Sequence, residues 1–390
     1  MNAARPLFFI ALGLFGLYAV EFGVVGILPL IVDRFGITVA RAGWLVALFA
    51  LIVAVCGPFM VLWLSRFDRR RVLAGSLFVF AACSALSAWA ADFVTLMLLR
   101  IVPALLHPVF FAQAFAAAVA LYPPSRATHA TTMAFVGTSM GLVLGVPLAA
   151  WIGTRFSWEA SFLFCALVNG VAGGGLLLML PAGAPGSRSA AGRSSAVLRK
   201  PALWLNILST VLVFATMFSV YSYAAEYLAR VTGLGGEAIS VLLVVFGVGG
   251  VAGNLLAGRL LGRNLVRTAV LYPLALGGAY LVLFTLGSPS LVAMVVICLL
   301  WGAVHTSGLV VSQVWLTSAA PEAPAFATSL YISAANLGVM LGSAVGGGFI
   351  SANGMQGALW SGWLFAALAL LSMLLKVRLF DRRPDGLLRH

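Results

Sequence analysis

Charge is what this chain has least of. Only 8% of its 390 residues are charged, with ten acids and four histidines in all. That scarcity argues against a metal cluster, which needs several such ligands converging. The four cysteines, Cys56, Cys83, Cys165 and Cys298, are widely spaced in apolar runs with no CxxC pair. They are expected to pack as small hydrophobes. No Gly-Lys-Ser/Thr phosphate loop exists, so ATP-driven pumping by this chain alone is not expected. Gly137-Thr138-Ser139-Met140-Gly141 formally matches the GxSxG nucleophile elbow. That motif requires a strand-turn-helix context, and here it lies inside a long apolar run. No enzyme and no cofactor are expected.

What the chain has in excess is apolar surface. It is 62% hydrophobic, with a mean hydropathy of +1.09. A soluble domain of this size does not hide so much, so lipid must be part of its solvent. Apolar stretches near membrane-spanning length number twelve: 6–32, 42–64, 71–91, 93–121, 130–153, 160–180, 202–229, 238–260, 266–286, 291–317, 325–349 and 357–378. Each should be a helix that satisfies its own backbone, giving an all-α membrane protein. The first stretch is too long for a removable signal peptide.

The net charge of +13 follows topology rather than nucleic-acid binding. With the N-terminus cytoplasmic, eighteen Lys and Arg fall in inner loops and tails, among them Arg66, Arg69, Arg70, Arg71 and Arg199. Only Arg34, Arg41, Arg155 and Arg230 fall outside. This asymmetry sets both termini in the cytoplasm, with anionic-lipid contact as a side effect.

The two halves repeat. Ala130-Thr131-Thr132-Met133, Gly141 and Leu144-Gly145 reappear as Ala327-Thr328-Ser329-Leu330, Gly338 and Leu341-Gly342, each 197 residues on. His107 and His305 lie 198 apart. The segment 181–201, rich in Gly, Pro, Ser and Ala, reads as a flexible linker between bundles 1–180 and 202–390. Two pseudo-symmetric six-helix bundles with a binding site between them near the bilayer midplane are the signature of a secondary transporter. A complete duplication supplies its own cleft, so a monomer is the expected functional unit, whereas a channel would place its pore on an oligomer axis. Gly137, Gly141 and Gly145, followed by Pro147, recur as Gly338, Gly342 and Gly346. Small residues at four-residue spacing let helices approach closely. They serve either static packing or a face that slides between the halves.

At this point the chain resembles the major facilitator superfamily. Ser65-Arg66-Phe67-Asp68-Arg69-Arg70-Arg71 sits where that family carries its second-to-third-span loop signature. Ser65 stands at the usual acidic position and Asp68 at a usual glycine. Arg100 takes the place of the fourth-span arginine of drug:proton antiporters. Gly137-x3-Gly141-x3-Gly145-Val146-Pro147 is similar to the fifth-span antiporter motif. Glu21-Phe22, His107-x-x-Phe110 and Tyr221-Ser222-Tyr223 look most like the bacterial sugar-efflux branch of the twelve-span antiporters. The resemblance implies a bacterial inner-membrane exporter working by alternating access. Its cargo would be a sugar-like compound or a drug; alternatives are a multidrug pump, a nucleoside exporter or an uptake symporter.

Ionisable residues inside spans are functional candidates by default. Glu21 is midway along the first span and is expected to gain and lose the coupling proton. Arg100 is its expected fixed counter-charge. His107, seven residues after Arg100, shares its helix face and is a second proton-handling candidate, or a ligand for substrate. Substrate candidates are Phe22, Phe111, Gln113, Tyr221, Tyr223, Trp301, His305 and Asn336. Trp301 and His305 are four apart on one face, as Tyr223 and Glu226 are at three. The tyrosines have a second reading, an interfacial aromatic belt. Such a lining of rings and amides suits a neutral or cationic small molecule with some polar groups.

Overall fold

The structure, a computed structural model, describes residues 4–123, 127–181, 198–287, 289–322 and 324–381. Most of the expected linker lies outside the described residues. So do Arg126, Arg188, Arg193, Arg382, Arg383 and Arg389, and the side chains of Thr131, Thr132 and Ser139. Among the described residues there is no strand. The helices are α1 (Ala4–Gly26), α2 (Leu28–Phe35), α3 (Val39–Leu64), α4 (Arg69–Ala88), α5 (Phe93–Ala120), α6 (Ala127–Arg155), α7 (Trp158–Met179), α8 (Pro201–Tyr221), α9 (Ala224–Tyr227), α10 (Gly236–Arg263), α11 (Leu265–Leu286), α12 (Leu291–Thr317), α13 (Pro324–Asn353) and α14 (Gly357–Lys376). A π-helical turn, Leu228–Thr232, follows α9, and another, Val377–Asp381, follows α14. Twelve of the helices are long and apolar enough to cross a membrane.

Helix starts are fixed by side chains that accept a first-turn N–H, the group otherwise orphaned there. Asp68 accepts from Arg71 N at 2.9 Å and Asp92 from Thr95 N at 2.9 Å. Asn264 and Ser290 do the same for Arg267 and Ala293. These caps are themselves duplicated, Asp68 with Asn264 and Asp92 with Ser290, 196 and 198 residues apart.

Two expected spans are interrupted. The 6–32 stretch breaks at Ile27 (φ −106°, ψ 12°) and restarts as α2, with Pro29 in its first turn. The 202–229 stretch breaks at Tyr223 (φ −116°, ψ 15°) and restarts as α9. Both residues sit in the bridge region of backbone space, outside the helical well. They are 196 residues apart, so the break is a property of the repeat, and no proline stands at the second. Each broken segment ends on a left-handed glycine, Gly36 at φ 59° and Gly233 at φ 69°, a conformation open to glycine without steric cost.

The chain forms two compact units. One comprises Met1–Thr38, Trp44–Ser187 and Gly235–Leu243; the other comprises Val39–Gly43, Arg188–Leu234 and Val244–His390. In the first, α1 packs on α6 and α7, and α4 on α7 and α5. In the second, α8 packs on α13 and α14, and α11 on α14 and α12, the same neighbours in the same order. The glycine rows explain how close these pairs come. A Cβ at Gly141 would lie 2.9 Å from the Phe15 carbonyl, and one at Gly145 3.0 Å from Ala19 Cα. A Cβ at Gly342 would lie 2.5 Å from the Ala215 carbonyl. Of the two expected readings, close packing is the one these contacts describe. These glycines meet the first helix of their own unit, in backbone-to-backbone contact that small residues permit.

Candidate functional site

In the first unit α1, α3 and α5 bring an acid, an imidazole and a guanidinium together. Glu21, at 5% exposure, places Oε2 2.9 Å from Nε2 of His107, at 4% exposure. The two atoms are in contact but the ring N–H is out of line with the carboxylate, so neither has an aligned hydrogen bond. Arg100 is equally buried and does not spend its fork on the carboxylate. Its Nε donates to the Leu45 carbonyl at 3.0 Å, Nη1 to Val20 at 3.1 Å and Nη2 to the main-chain oxygen of Glu21 at 2.9 Å. The side chain of Glu21 thus contacts His107 rather than the expected Arg100, which clamps the backbone of α1 at Glu21 to that of α3.

Aromatic rings wall this cluster. The Arg100 guanidinium lies over Phe49, 5.0 Å from its centroid, a cation–π arrangement. Phe49 and Tyr18 meet the His107 ring edge-on at 5.8 and 5.7 Å. Phe22 stacks on Tyr18 at 6.1 Å, and Phe111 meets Tyr18 at 6.4 Å. Gln113 lies six residues past His107 on α5, about 120° around the helix from it, so it does not join this face. Pro103 and Pro108 flank His107 within α5. Each lacks the N–H of a helical hydrogen bond, which locally loosens the backbone around the imidazole. A cavity of about 20 Å³ lies beside Arg100, lined among others by Ser84, Ser161, Cys83 and Cys165. It holds about one water molecule and is far below the size of a drug or sugar site.

The second unit gathers Tyr221, Trp301 and His305. The His305 ring is 4.7 Å from Tyr221, 5.2 Å from Phe246 and 5.8 Å from Phe218, and Trp301 meets Phe246 at 4.9 Å. His305 Nδ1 is buried without a partner. Tyr223 does not belong to this cage. It is fully buried, and its hydroxyl donates to the Ser343 carbonyl of α13 at 2.5 Å, so it is neither an interfacial ring nor a free hydroxyl. Glu226 is buried and bonded to Arg230 one turn on. Asn336 donates to Ile332 O within α13 at 3.0 Å. In the loop motif, Asp68 caps α4, Arg69 reaches the Ala116 carbonyl at 3.4 Å, and Arg66 is exposed.

Tyr18, Phe49, Phe218 and Phe246 are site residues that single-residue inspection passes over. The repeat offset carries the signal for one pair, since Phe49 and Phe246 are 197 apart and each packs on a histidine of the duplicated pair. The stacked rings Tyr18–Phe22 likewise recur as Phe214–Phe218 at 6.2 Å, an offset of 196.

Comparison with known proteins agrees with this architecture. The family model of the Major Facilitator Superfamily matches residues 10–325. The chain is 33% identical to the inner membrane transport protein YdhP of Escherichia coli K12, over 97% of both chains. It is 32% identical to a chloramphenicol resistance protein of Streptomyces lividans, over 94% of both. A probable sugar efflux transporter of Mannheimia succiniciproducens is 28% identical, over 93% of this chain and 91% of that one. Among solved structures, a bacterial homologue of the human lysosomal transporter Spinster, inward-facing and unoccupied, matches with a TM-score of 0.79 at 18% identity, covering 96% of this chain and 97% of that one. The nucleoside transporter NupG matches at 0.76 and 14% identity, over 98% and 100%. With its twelve apolar helices, its duplicated packing and relatives of efflux type, the chain belongs to the Major Facilitator Superfamily as a multi-pass membrane transporter.

Proposed function

We propose that this transporter is a proton-driven exporter of a small polar or amphipathic molecule, with Glu21 and His107 as the coupling pair. The observation that carries this is their burial at 2.9 Å from each other within a membrane span. A carboxylate and an imidazole are the side chains of this cluster that can take up and release a proton, and burial makes an unbalanced charge there expensive. Protonation on one side of the membrane and release on the other then biases the inward- and outward-open states in opposite directions, which is alternating access. Arg100 is a fixed charge that cannot act as carrier; its bonds to three carbonyls make it the brace that holds Glu21 in place.

The second unit supports this cargo class. His305 sits in a cage of Tyr221, Phe246, Phe218 and Trp301, which suits a neutral ring-bearing or sugar-like molecule. Relatives named for sugar efflux and for chloramphenicol resistance support export. The working unit is a monomer in a bacterial inner membrane, with both termini cytoplasmic, a reading the Lys/Arg distribution supports.

The test is an acid-pulse assay in proteoliposomes over a panel of sugars, nucleosides and chloramphenicol. Glu21→Gln should abolish accumulation driven by a pH gradient while leaving substrate exchange measurable. Accumulation by Glu21→Gln at the wild-type rate would remove Glu21 from coupling.

A further inference from the structure

Two helices begin in one unit and continue in the other. Val39–Gly43, the first turn of α3, belongs to the second unit, and α3 from Trp44 onward belongs to the first. Gly235–Leu243, which opens α10, belongs to the first unit, and α10 from Val244 onward belongs to the second. Val39 and Gly236 start their helices 197 residues apart, so this placement of the first turns is part of the repeat.

Inside the second unit, the first turn of α3 sits on Tyr223. A Cβ added at Gly43 would overlap the Tyr223 hydroxyl, and one at Gly347 on α13 would come within 2.6 Å of the same oxygen. The Cβ at Gly347 would also lie 3.2 Å from Ala40 Cα and 3.4 Å from Ala40 Cβ. One phenol oxygen thus fills a notch that is open because a residue on each of two helices has no side chain. The two sides of the notch hold Tyr223 differently. On α13 it is fastened, donating to Ser343 O at 2.5 Å, with the Ser222–Ser343 hydroxyl contact beside it at 2.6 Å. Gly43 has no side chain to bond with and meets the hydroxyl by shape. Contact of that kind is short-ranged, and a gap of about 1 Å already forfeits much of it. The matching seat in the first unit lacks the hydroxyl. Ile27 stands there in the register of Tyr223, and Gly236 packs on the Thr154 methyl.

We infer that the first turn of α3 is a strap that seats and lifts during the transport cycle, and that Tyr223 is its catch. This rests on the alternating access proposed above and gives it a moving part. Alternating access needs packed elements that part and rejoin between discrete states. A turn that continues into one unit and is held in the other at a glycine notch can part there without breaking the bonds of Tyr223. Lifting takes Ala40 and Gly43 away from Gly347 and Tyr223, and Tyr223 stays with Ser343.

The experiment is maleimide labelling of Ala40→Cys in the purified full-length chain in detergent, followed by mass spectrometry. Ala40 is half-buried against Gly347, and the four native cysteines supply the baseline. Ala40→Cys should label slowly but to completion, because its thiol is covered while the turn is seated and reached when it lifts. A thiol that never labels overturns the lifting. Ala40→Cys/Tyr223→Phe should label about fivefold faster, the effect of losing the several close atom contacts that one hydroxyl makes. An equal rate overturns the catch. Ala40→Cys/Gly43→Ala should also label faster, since the new Cβ strikes the hydroxyl. Adding Tyr223→Phe to that variant should then gain less than it gains alone, and full additivity overturns the direct contact. Cys165 and Cys298 are buried and should stay unlabelled. Their labelling in the variants would show a loosened fold and overturn the catch. Neither a proton gradient nor a cargo enters the measurement, so its failure leaves the Glu21 coupling test untouched, and failure of that test leaves the strap standing.

Discussion

Glu21 and Met217 occupy the same position of the same bent helix in the two repeats, one beside His107 and the other on the face that meets the helix of His305. The scaffold around them is held in common: broken first helices, stacked rings, phenylalanines on the histidines, and glycines against the first helix. The chemistry is not held in common. Duplication gave two copies of a histidine pocket, and only one of them carries an acid.

Arg100 should be a stability residue as much as a transport residue. Its three donors tie carbonyls of α1 and α3 to one buried cation. Hydrogen bonds from a charged group contribute about 1.5–3 kcal/mol each, though not additively. Arg100→Gln should therefore cost at least about 2 kcal/mol. Arg100→Lys should not restore it, because one ammonium cannot span three carbonyls in a fork. Thermal unfolding followed by thiol-reactive dye measures this; a lysine variant as stable as the wild type would contradict the clamp.

Gly141→Ala and Gly342→Ala should each loosen their unit. The new Cβ would fall 2.9 Å from Phe15 O in one and 2.5 Å from Ala215 O in the other. Backbone cannot step aside as a side chain can, so a loss of about 1–3 kcal/mol is expected. Gly258→Ala is the control. It has open space around it, and alanine gains about 1 kcal/mol of helix propensity over glycine. Melting temperatures should fall for the first two and hold or rise for the third.

Much of this was legible in the residues alone. Hydropathy gave the twelve spans, because a backbone in lipid has few options, and the offset of about 197 gave the duplication. Glu21, Arg100 and His107 stood out because mid-span charge is rare. The partner of Glu21 was not legible. Both Arg100 and His107 lie on one face of α5, and which of them reaches the carboxylate depends on carbonyls at Leu45 and Val20 that no side-chain pattern announces. The helix breaks were half legible: Pro29 signals the first, while nothing in Ser222-Tyr223 signals the second. The role of Tyr223 was hidden for a similar reason, since its acceptor is a main-chain oxygen 120 residues away.

Asp92 offers a pH-dependent cap. The Thr95 backbone N–H, with the Thr95 hydroxyl second, holds its carboxyl below the usual carboxylate range. A depressed value means the ionised form stabilises the fold. That contribution is full above the unfolded value of about 4 and is lost as pH falls through the folded value. Asp92→Asn keeps an acceptor for Thr95 N but cannot titrate. Its stability should therefore fall less than that of the wild type on acidification from pH 5 to pH 3, measured by the same thermal assay. Parallel decline of the two proteins would show that the cap contributes nothing to acid sensitivity.

Tyr223 separates structure from cargo recognition in the second unit. Its hydroxyl is buried and already bonded to Ser343 O at 2.5 Å, while Ser222 and Ser343 share a hydroxyl contact at 2.6 Å one residue away. Tyr223→Phe strands that carbonyl and should cost about 1 kcal/mol. Because the lost group binds backbone rather than solute, the rank order of substrates in the proteoliposome panel should stay as in the wild type. Trp301→Ala, which opens the cage around His305, should reorder it. A reordered panel in Tyr223→Phe with unchanged stability would make Tyr223 a specificity residue, and an unchanged panel in Trp301→Ala would take the cage out of recognition.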